Sequence, residues 1–433
     1  MKKTILAITC GLLTATSATA QQDTTTIEKE HSFTMEAQLQ TRGEWRHGAL
    51  PAENGEDEAY FVAGGTALSL DYQQKNLEAK IVPVYSGVWG SADNNNFDLQ
   101  EAWLLLKHNN GLFAKLGRQC LSYDDERIIG DNDWAMAASS HDVLKFGYEG
   151  KRHQAHFILA FNQNNENVNG GTYYIDGAQP YKSMQTVWYH FDVCPQFGAS
   201  LLFMNMGMQD LRKNVNQTDQ QQLFGAFLDW HPKNFSLQAS YYRQTGHEEY
   251  GLPIKAWMMS ADSKWQINPQ WKLNMGYFHM SGDEYFFVPP EGTIGMAKKE
   301  EVGGFNPIFG SHHQFYGAMD FFYVKTYYGG NTPGLQDFYI GGEWTPVKDI
   351  SIEADYHYLA SAVHIEDADR TLGHELEVTA SWEFMKDVKL SAGYSFMHGT
   401  KTMEILKRTS DQNCLQWGWI MLKFSPKFFS INW

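Results

Sequence analysis

The chain has 433 residues, of which 43% are hydrophobic, 15% aromatic and 19% charged, and its formal net charge is −16. That acid excess disfavours nucleic acid as a partner, because phosphates need neutralising Lys and Arg. Beyond the first twenty residues there is no apolar run of 18, so no transmembrane helix is expected. A soluble periplasmic protein and a membrane β-barrel both satisfy that observation, and periodicity has to separate them.

At the N-terminus Lys2 and Lys3 precede the apolar run Ile5–Leu13, and Ala18-Thr19-Ala20 offers a small-residue cleavage site. Residues 1–20 are therefore expected to be a secretory signal peptide cut before Gln21. Residues 21–32 would form a short periplasmic segment and residues 33–433 the barrel. Cys10 lies inside the apolar run, which argues against lipidation. The remaining cysteines, Cys120, Cys194 and Cys414, are odd in number and lack C-x-x-C spacing, so neither a disulfide framework nor zinc is expected.

From Phe33 to Arg46 one face reads Phe33, Met35, Ala37, Leu39, Thr41, Gly43, Trp45, and the other Thr34, Glu36, Gln38, Gln40, Arg42, Glu44, Arg46. The same alternation returns from Ile350, from Leu376 and from Val388. A strand with one face in lipid and one in water must read this way. These runs exceed the usual ~5–6 residues of globular strands and match the ~9–11 tilted residues that cross a bilayer.

Short turns are expected at Gln73–Asn76, Asn109–Gly111, Gly150–Arg152, Cys194–Gln196, Pro232–Asn234, Asn268–Gln270, Pro346–Lys348 and Lys386–Asp387. Longer polar stretches lie between them: Gly48–Asp57, Gly90–Asn96, Tyr123–His141, Asn164–Lys182, Gln209–Thr218, His247–Pro253, Asp283–Gly334, Val363–Arg370 and Thr400–Gln412. The expected fold is all-β: a transmembrane antiparallel β-barrel of about 18 strands, with short periplasmic turns and long extracellular loops. Parity then places the apolar stretch Phe315–Tyr328 inside a loop rather than in the wall. Such a long loop is expected to be ordered and folded into or over the pore mouth. Trp45, Trp89, Trp188, Trp230, Trp265, Trp271, Trp344, Trp382, Trp417 and Trp419 sit near strand ends and suit interfacial girdles. The chain ends Phe428-Phe429-Ser430-Ile431-Asn432-Trp433, an alternating segment; Pro426 just before it demands a bulge or a strand end.

Alternation turns Arg42, Arg46, Lys80, Lys107, Lys115, Lys272 and Lys389 toward the lumen. It also turns Glu36, Glu44, Glu101, Glu343, Glu353, Asp355, Glu375, Glu377 and Glu383 there. That mixture is no anion funnel.

The segment from Leu116-Gly117-Arg118-Gln119 through Ser122-Tyr123-Asp124-Asp125-Glu126-Arg127 to Gly130, followed by Asp133-Trp134, resembles the signature of the alginate-export outer-membrane family. Gln100-Glu101-Ala102-Trp103, Phe305-Asn306-Pro307, Phe315-Tyr316-Gly317-Ala318-Met319-Asp320, Gly334-Leu335-Gln336-Asp337 and Asp355-Tyr356-His357 follow in the family's order. The resemblance implies an eighteen-stranded monomeric barrel conducting an acidic polysaccharide or other solutes. The pore-lining or substrate-contacting candidates are Arg42, Arg46, Glu101, Arg118, Gln119, Asp124, Asp125, Arg127, Asp320 and Asp355. Strict alternation points Arg118 at lipid. Either it sits at the interface, or Gly117 marks a bulge that re-aims it inward toward Asp124 or Asp125; the bulge is preferred here. Its role is then a structural salt bridge or a solute contact.

No catalytic constellation emerges, so the chain is not expected to be an enzyme. Asp124, Asp125 and Glu126 are adjacent and point apart, whereas glycosidase carboxyls must flank one bond. His312 and His313 lack metal spacing. Asp131-Asn132-Asp133 and Asp93-Asn94-Asn95-Asn96 lack the glycine and glutamate of a calcium loop, and no metal or cofactor is expected. The expected function is an outer-membrane channel for passive passage of small polar solutes or oligosaccharides, with lipid as its surroundings. Its alternatives are an exporter of an acidic polysaccharide working with a periplasmic secretion complex, and a periplasmic or surface carbohydrate-binding β-protein.

Overall fold

The computed structural model of the protein describes residues 31–48, 57–163, 165–166, 180–212, 217–283, 300–322, 332–365, 368–407 and 414–433. Its strands are β1 (His31–His47), β2 (Ala59–Gln74), β3 (Leu77–Val88), β4 (Asn95–Lys107), β5 (Leu112–Gln119), β6 (His141–Glu149), β7 (His153–Phe161), β8 (Ser183–Cys194) and β9 (Phe197–Gln209). They continue with β10 (Thr218–Trp230), β11 (Phe235–Gly246), β12 (Ala256–Asn268), β13 (Trp271–Met280), β14 (Leu335–Val347), β15 (Ile350–Ala360), β16 (Thr371–Met385), β17 (Val388–Gly399), β18 (Leu415–Phe424) and β19 (Lys427–Asn432). A short helix α1 (Lys401–Lys407) and a 3-10 turn (His312–Gln314) complete the described elements.

Each strand is antiparallel to the next, and β1 pairs with β2 on one edge and with β18 and β19 on the other, which closes the sheet. β18 and β19 are halves of one wall strand. Pro426 cannot donate to the ladder, so the register against β1 shifts between Met35 and Glu36, and the Ala37 N–H reaches the Pro426 carbonyl at 3.1 Å. The wall therefore has eighteen strands, as turn parity predicts. The described termini meet at the short-turn end, where His31 and Trp433 exchange backbone hydrogen bonds of 3.0 Å.

All eight expected short turns join consecutive strands at one end, and all nine long stretches do so at the other. No strand runs through Phe315–Phe322, so that part of the aromatic stretch is loop; residues 323–328 lie outside the described residues. The expected signal peptide lies outside them as well, and β1 begins at His31, slightly before the alternation that marks it.

The two faces follow the pleat. Leu39, Leu116, Leu201 and Phe224 point outward and are exposed, while Gln40, Arg42 and Glu44 point inward and are buried. Trp230, Trp265, Trp271, Trp344 and Trp382 ring the outer face near the short turns, with Trp271 stacked on Trp344 at 5.7 Å. Such amphipathic rings suit the edge of a hydrocarbon slab.

Three tryptophans depart from the girdle. Register puts Trp188 opposite His156, and Trp417 and Trp419 opposite the lumenal Arg46 and Glu44, so all three face the lumen. The lumen is also not polar all round. Leu202, Met204, Met206 and Leu223 point inward and pack with Ile128, Ile129, Tyr181 and Phe305 in a buried cluster. The long loops fold into the barrel there, exclude water, and give this part of the wall an apolar partner.

Candidate functional site

Two loop segments narrow the lumen. The first, residues 120–140 between β5 and β6, contacts three parts of the wall. Asp124 accepts from the Trp188 indole at 3.0 Å and the Tyr242 hydroxyl at 3.4 Å, on β8 and β11. Burial pushes the Asp124 carboxyl above its usual range, against the opposing pull of these donors and Ser200. Arg127 donates from Nε to Asp125 at 3.0 Å and from Nη2 to both oxygens of Asp262, on β12, at 2.8 Å. Its guanidinium also lies over Phe315 at 4.0 Å. Burial opposes its charge, but Asp262 and Asp125 outweigh that and hold the guanidinium above its ordinary range. Trp134 lies under the Arg42 guanidinium at 4.1 Å, and its carbonyl accepts from Arg42 Nη1 at 3.1 Å.

The second segment, residues 300–322, is laced to the first. The Phe309 N–H bonds to the Ile128 carbonyl at 3.1 Å, the Gly130 N–H to the Phe309 carbonyl at 2.8 Å, and Ser311 Oγ donates to Glu126 at 2.7 Å. The crossing needs glycine: a Cβ on Gly310 would stand 2.3 Å from the Arg127 carbonyl oxygen, and one on Gly130 2.2 Å from Ser311 Oγ. Wall carboxylates hold the far end, since Glu375 accepts from the Met319 N–H at 2.9 Å and Glu377 from the Ala318 N–H at 3.1 Å.

Between the second segment and strands β11 to β16 lies a cavity of about 280 Å³. Asp125 and Arg127 reach it from the first loop, and Asp262, Lys264, Asp337, Tyr339, Glu353 and Asp355 from the wall. His357 lies between two carboxylates, its Nδ1 2.9 Å from Asp337 Oδ2 and its Nε2 2.9 Å from Glu377 Oε1. In a closed wall of eighteen strands, nine strands separate opposite sides, so β3 to β6 face β12 to β15 across the lumen. The opposite wall carries both signs: Lys80 pairs with Glu101 and Lys107 with Glu78, whereas Lys115 and Lys145, directly opposed neighbours on β5 and β6, form no ion pair among the described residues, and Lys115 lies over the Trp103 ring at 3.7 Å. The lumen is thus acidic along β12 to β16 and faces the Lys115–Lys145 pair on the opposite side.

Of the sequence candidates, Asp125, Arg127 and Asp355 converge on the cavity. Arg42 and Arg46 form a separate lumenal cluster, both bonded to Glu44. Glu101 is lumenal and pairs with Lys80 at 3.1 Å. Gln119 is fully buried and donates to the Gly117 and Val143 carbonyls. Asp320 belongs to the second segment itself and lies 2.7 Å from His313 Nδ1, away from the cavity lining.

Arg118 requires a correction. The register runs unbroken through Gly117 opposite Trp103 and Arg118 opposite Ala102, so there is no bulge despite the positive φ of Gly117. Arg118 points outward at the loop end of β5 and pairs with Asp142 at 2.9 Å and Asp98 at 3.2 Å, not with Asp124 or Asp125. Sequence reasoning passed over Asp262 and Tyr339 and held Asp337 only as part of a family motif; the alternation Met258, Ser260, Asp262, Lys264 was the available signal for the first of these.

A closed eighteen-strand wall, outward aromatics and a charged lumen narrowed by folded-in loops define an outer-membrane porin-like channel. The chain belongs to the alginate-export family, whose profile matches residues 61–399. Solved structures similar to it include OccK9 (OpdG) of Pseudomonas aeruginosa, at 12% identity and a TM-score of 0.62 over 92% of this chain and 98% of that one. OccAB1 of Acinetobacter baumannii is similar at 11% identity and a TM-score of 0.62, over 92% and 97% of the two chains. A BenF-like porin from Pseudomonas fluorescens Pf-5 is similar at 9% and 0.59, over 92% and 99%. At these identities the likeness is one of fold. Among curated proteins none matches the chain.

Proposed function

We propose that the protein is a monomeric, passive channel for small polar solutes or oligosaccharides, without catalytic activity. Its signal peptide is removed after Ala20, leaving a short periplasmic segment before the barrel. The observation that carries the reading is the pair of cross-laced loops held inside the lumen by Arg127, between an acidic wall and the Lys115–Lys145 pair. Fixed charges of both signs orient dipolar and hydroxyl-bearing solutes and set selectivity together with width.

Family membership and the Lys115–Lys145 pair favour a second reading, export of an acidic polysaccharide with help from a periplasmic secretion complex. Planar-bilayer recording separates the two. The first expects conductance with weak or cation-leaning selectivity and no block by alginate oligomers; marked anion selectivity with alginate block supports the second. Failure of the purified, folded barrel to conduct at all overturns both.

A further inference from the structure

We propose that the cavity against β12 to β16 binds the cationic end, an ammonium or guanidinium group, of a solute in transit. This rests on the channel reading above and names the chemistry of one of its subsites.

The carboxylates around the cavity are unequally satisfied. Asp125 and Asp262 are matched by Arg127, and Asp337 and Glu377 share His357. Glu353 and Asp355 have no such partner. Asp355 accepts from the Asn274 amide, and the Glu353 side chain makes no hydrogen bond or ion pair among the described residues. Lys264 lines the same cavity and acts on both carboxylates from beyond ion-pair distance. Two carboxylates one pleat apart on the lumenal face of β15 thus face a bounded space without an ion pair of their own.

A second observation is independent of that charge. Tyr316 lines the cavity and is 1% exposed, yet its hydroxyl makes no well-formed hydrogen bond among the described residues, although Arg127 lies near enough to act on it. A buried hydroxyl without a partner is costly unless something else supplies one. Tyr316 can accept from an N–H of a guest, as Glu353 and Asp355 can. The wall already shows how it takes such a group, because Arg127 lies between Asp262 and Asp125 with Phe315 and Phe278 against its guanidinium at 4.0 and 5.1 Å. Carboxylate plus aromatic face is the pairing that organic cations favour. The volume suits a small head group, and no described cluster of His, Cys, Asp and Glu has the arrangement to hold a metal ion.

The test uses the full-length protein in planar bilayers, with agmatine as the probe. Agmatine is expected to interrupt the wild-type current in a concentration-dependent way. E353Q/D355N keeps the shape and removes both charges, and should weaken the block roughly ten- to a hundredfold, the loss of one or two charge-assisted hydrogen bonds. E353Q alone serves where the double variant does not insert, and should weaken the block by a smaller factor. A channel that conducts but shows no agmatine block, or equal block in wild type and variants, overturns the binding site and leaves the channel reading standing. Absence of conductance overturns both.

Discussion

Replacing Arg127 with Met should release the constriction without unfolding the barrel. Arg127 is 3% exposed and bonded to Asp125 and Asp262, so its loss leaves two buried carboxylates without their cation. Breaking a buried ion pair from one side costs about 3–5 kcal/mol. At about 1.4 kcal/mol per tenfold, the ratio of seated to released loop falls by roughly a hundred to a few thousandfold. None of that cost falls on the strand ladders, because Arg127 lies outside β5 and β6. R127M should therefore keep heat-modifiable migration on gels, while its single-channel conductance and current noise rise well above wild type. Removing all three charges together, in R127M/D125N/D262N, should return much of the quiet behaviour, since no unpaired charge is left buried. Wild-type conductance and noise in R127M would show that Arg127 does not hold the loop, and the argument for the constriction would fail with it.

Gly310→Ala puts a methyl against the Arg127 carbonyl at the loop crossing. It should raise the rate at which proteases nick the loops of the intact barrel, and an unchanged rate would mean the crossing tolerates a Cβ. Arg118→Leu removes an outward, partly exposed ion pair worth about 0.2–1 kcal/mol; it should lower thermal stability slightly and leave ion selectivity alone, whereas an altered reversal potential would place Arg118 in the pore. Seating of the first loop should depend on pH. Burial raises the folded pKa of Asp124, and of Asp125, above that of the released loop. Between the released value of ~4 and the folded value, the seated loop therefore binds more protons, and seating weakens as pH rises through that window. Current noise should grow over this interval, with a shallower dependence in D124N; noise that falls as pH rises would contradict the sign.

The wall was legible because its signals are local. Turn chemistry and two-residue alternation belong to consecutive residues, and they give the eighteen strands, the loop assignment of Phe315–Phe322 and the break at Pro426. The interior was less legible because a ring or a cation reads the same on either face. Trp188 and Trp417 look like girdle residues until the register turns them inward. Arg118 was placed wrongly because the lipid cost was taken at mid-depth; at the end of β5, beside Asp142 and Asp98, that cost falls to ~0–1 kcal/mol. The cavity depends on contacts that closure alone creates, such as Arg127 meeting Asp262 at a separation of 135 residues. One trace of the folded-in loops did exist in the sequence. Leu201–Met208 is apolar on both faces over most of its length, which a strand facing lipid and water does not need. An inward apolar face requires a cover, and the acidic-basic cluster Asp124–Arg127 follows Leu121, the first buried apolar residue of the loop that supplies it. Apolar residues thus bring the loop into the barrel, and Arg127 fixes where it stops. The same cation that closes the constriction leaves Glu353 and Asp355 as the carboxylates it does not reach.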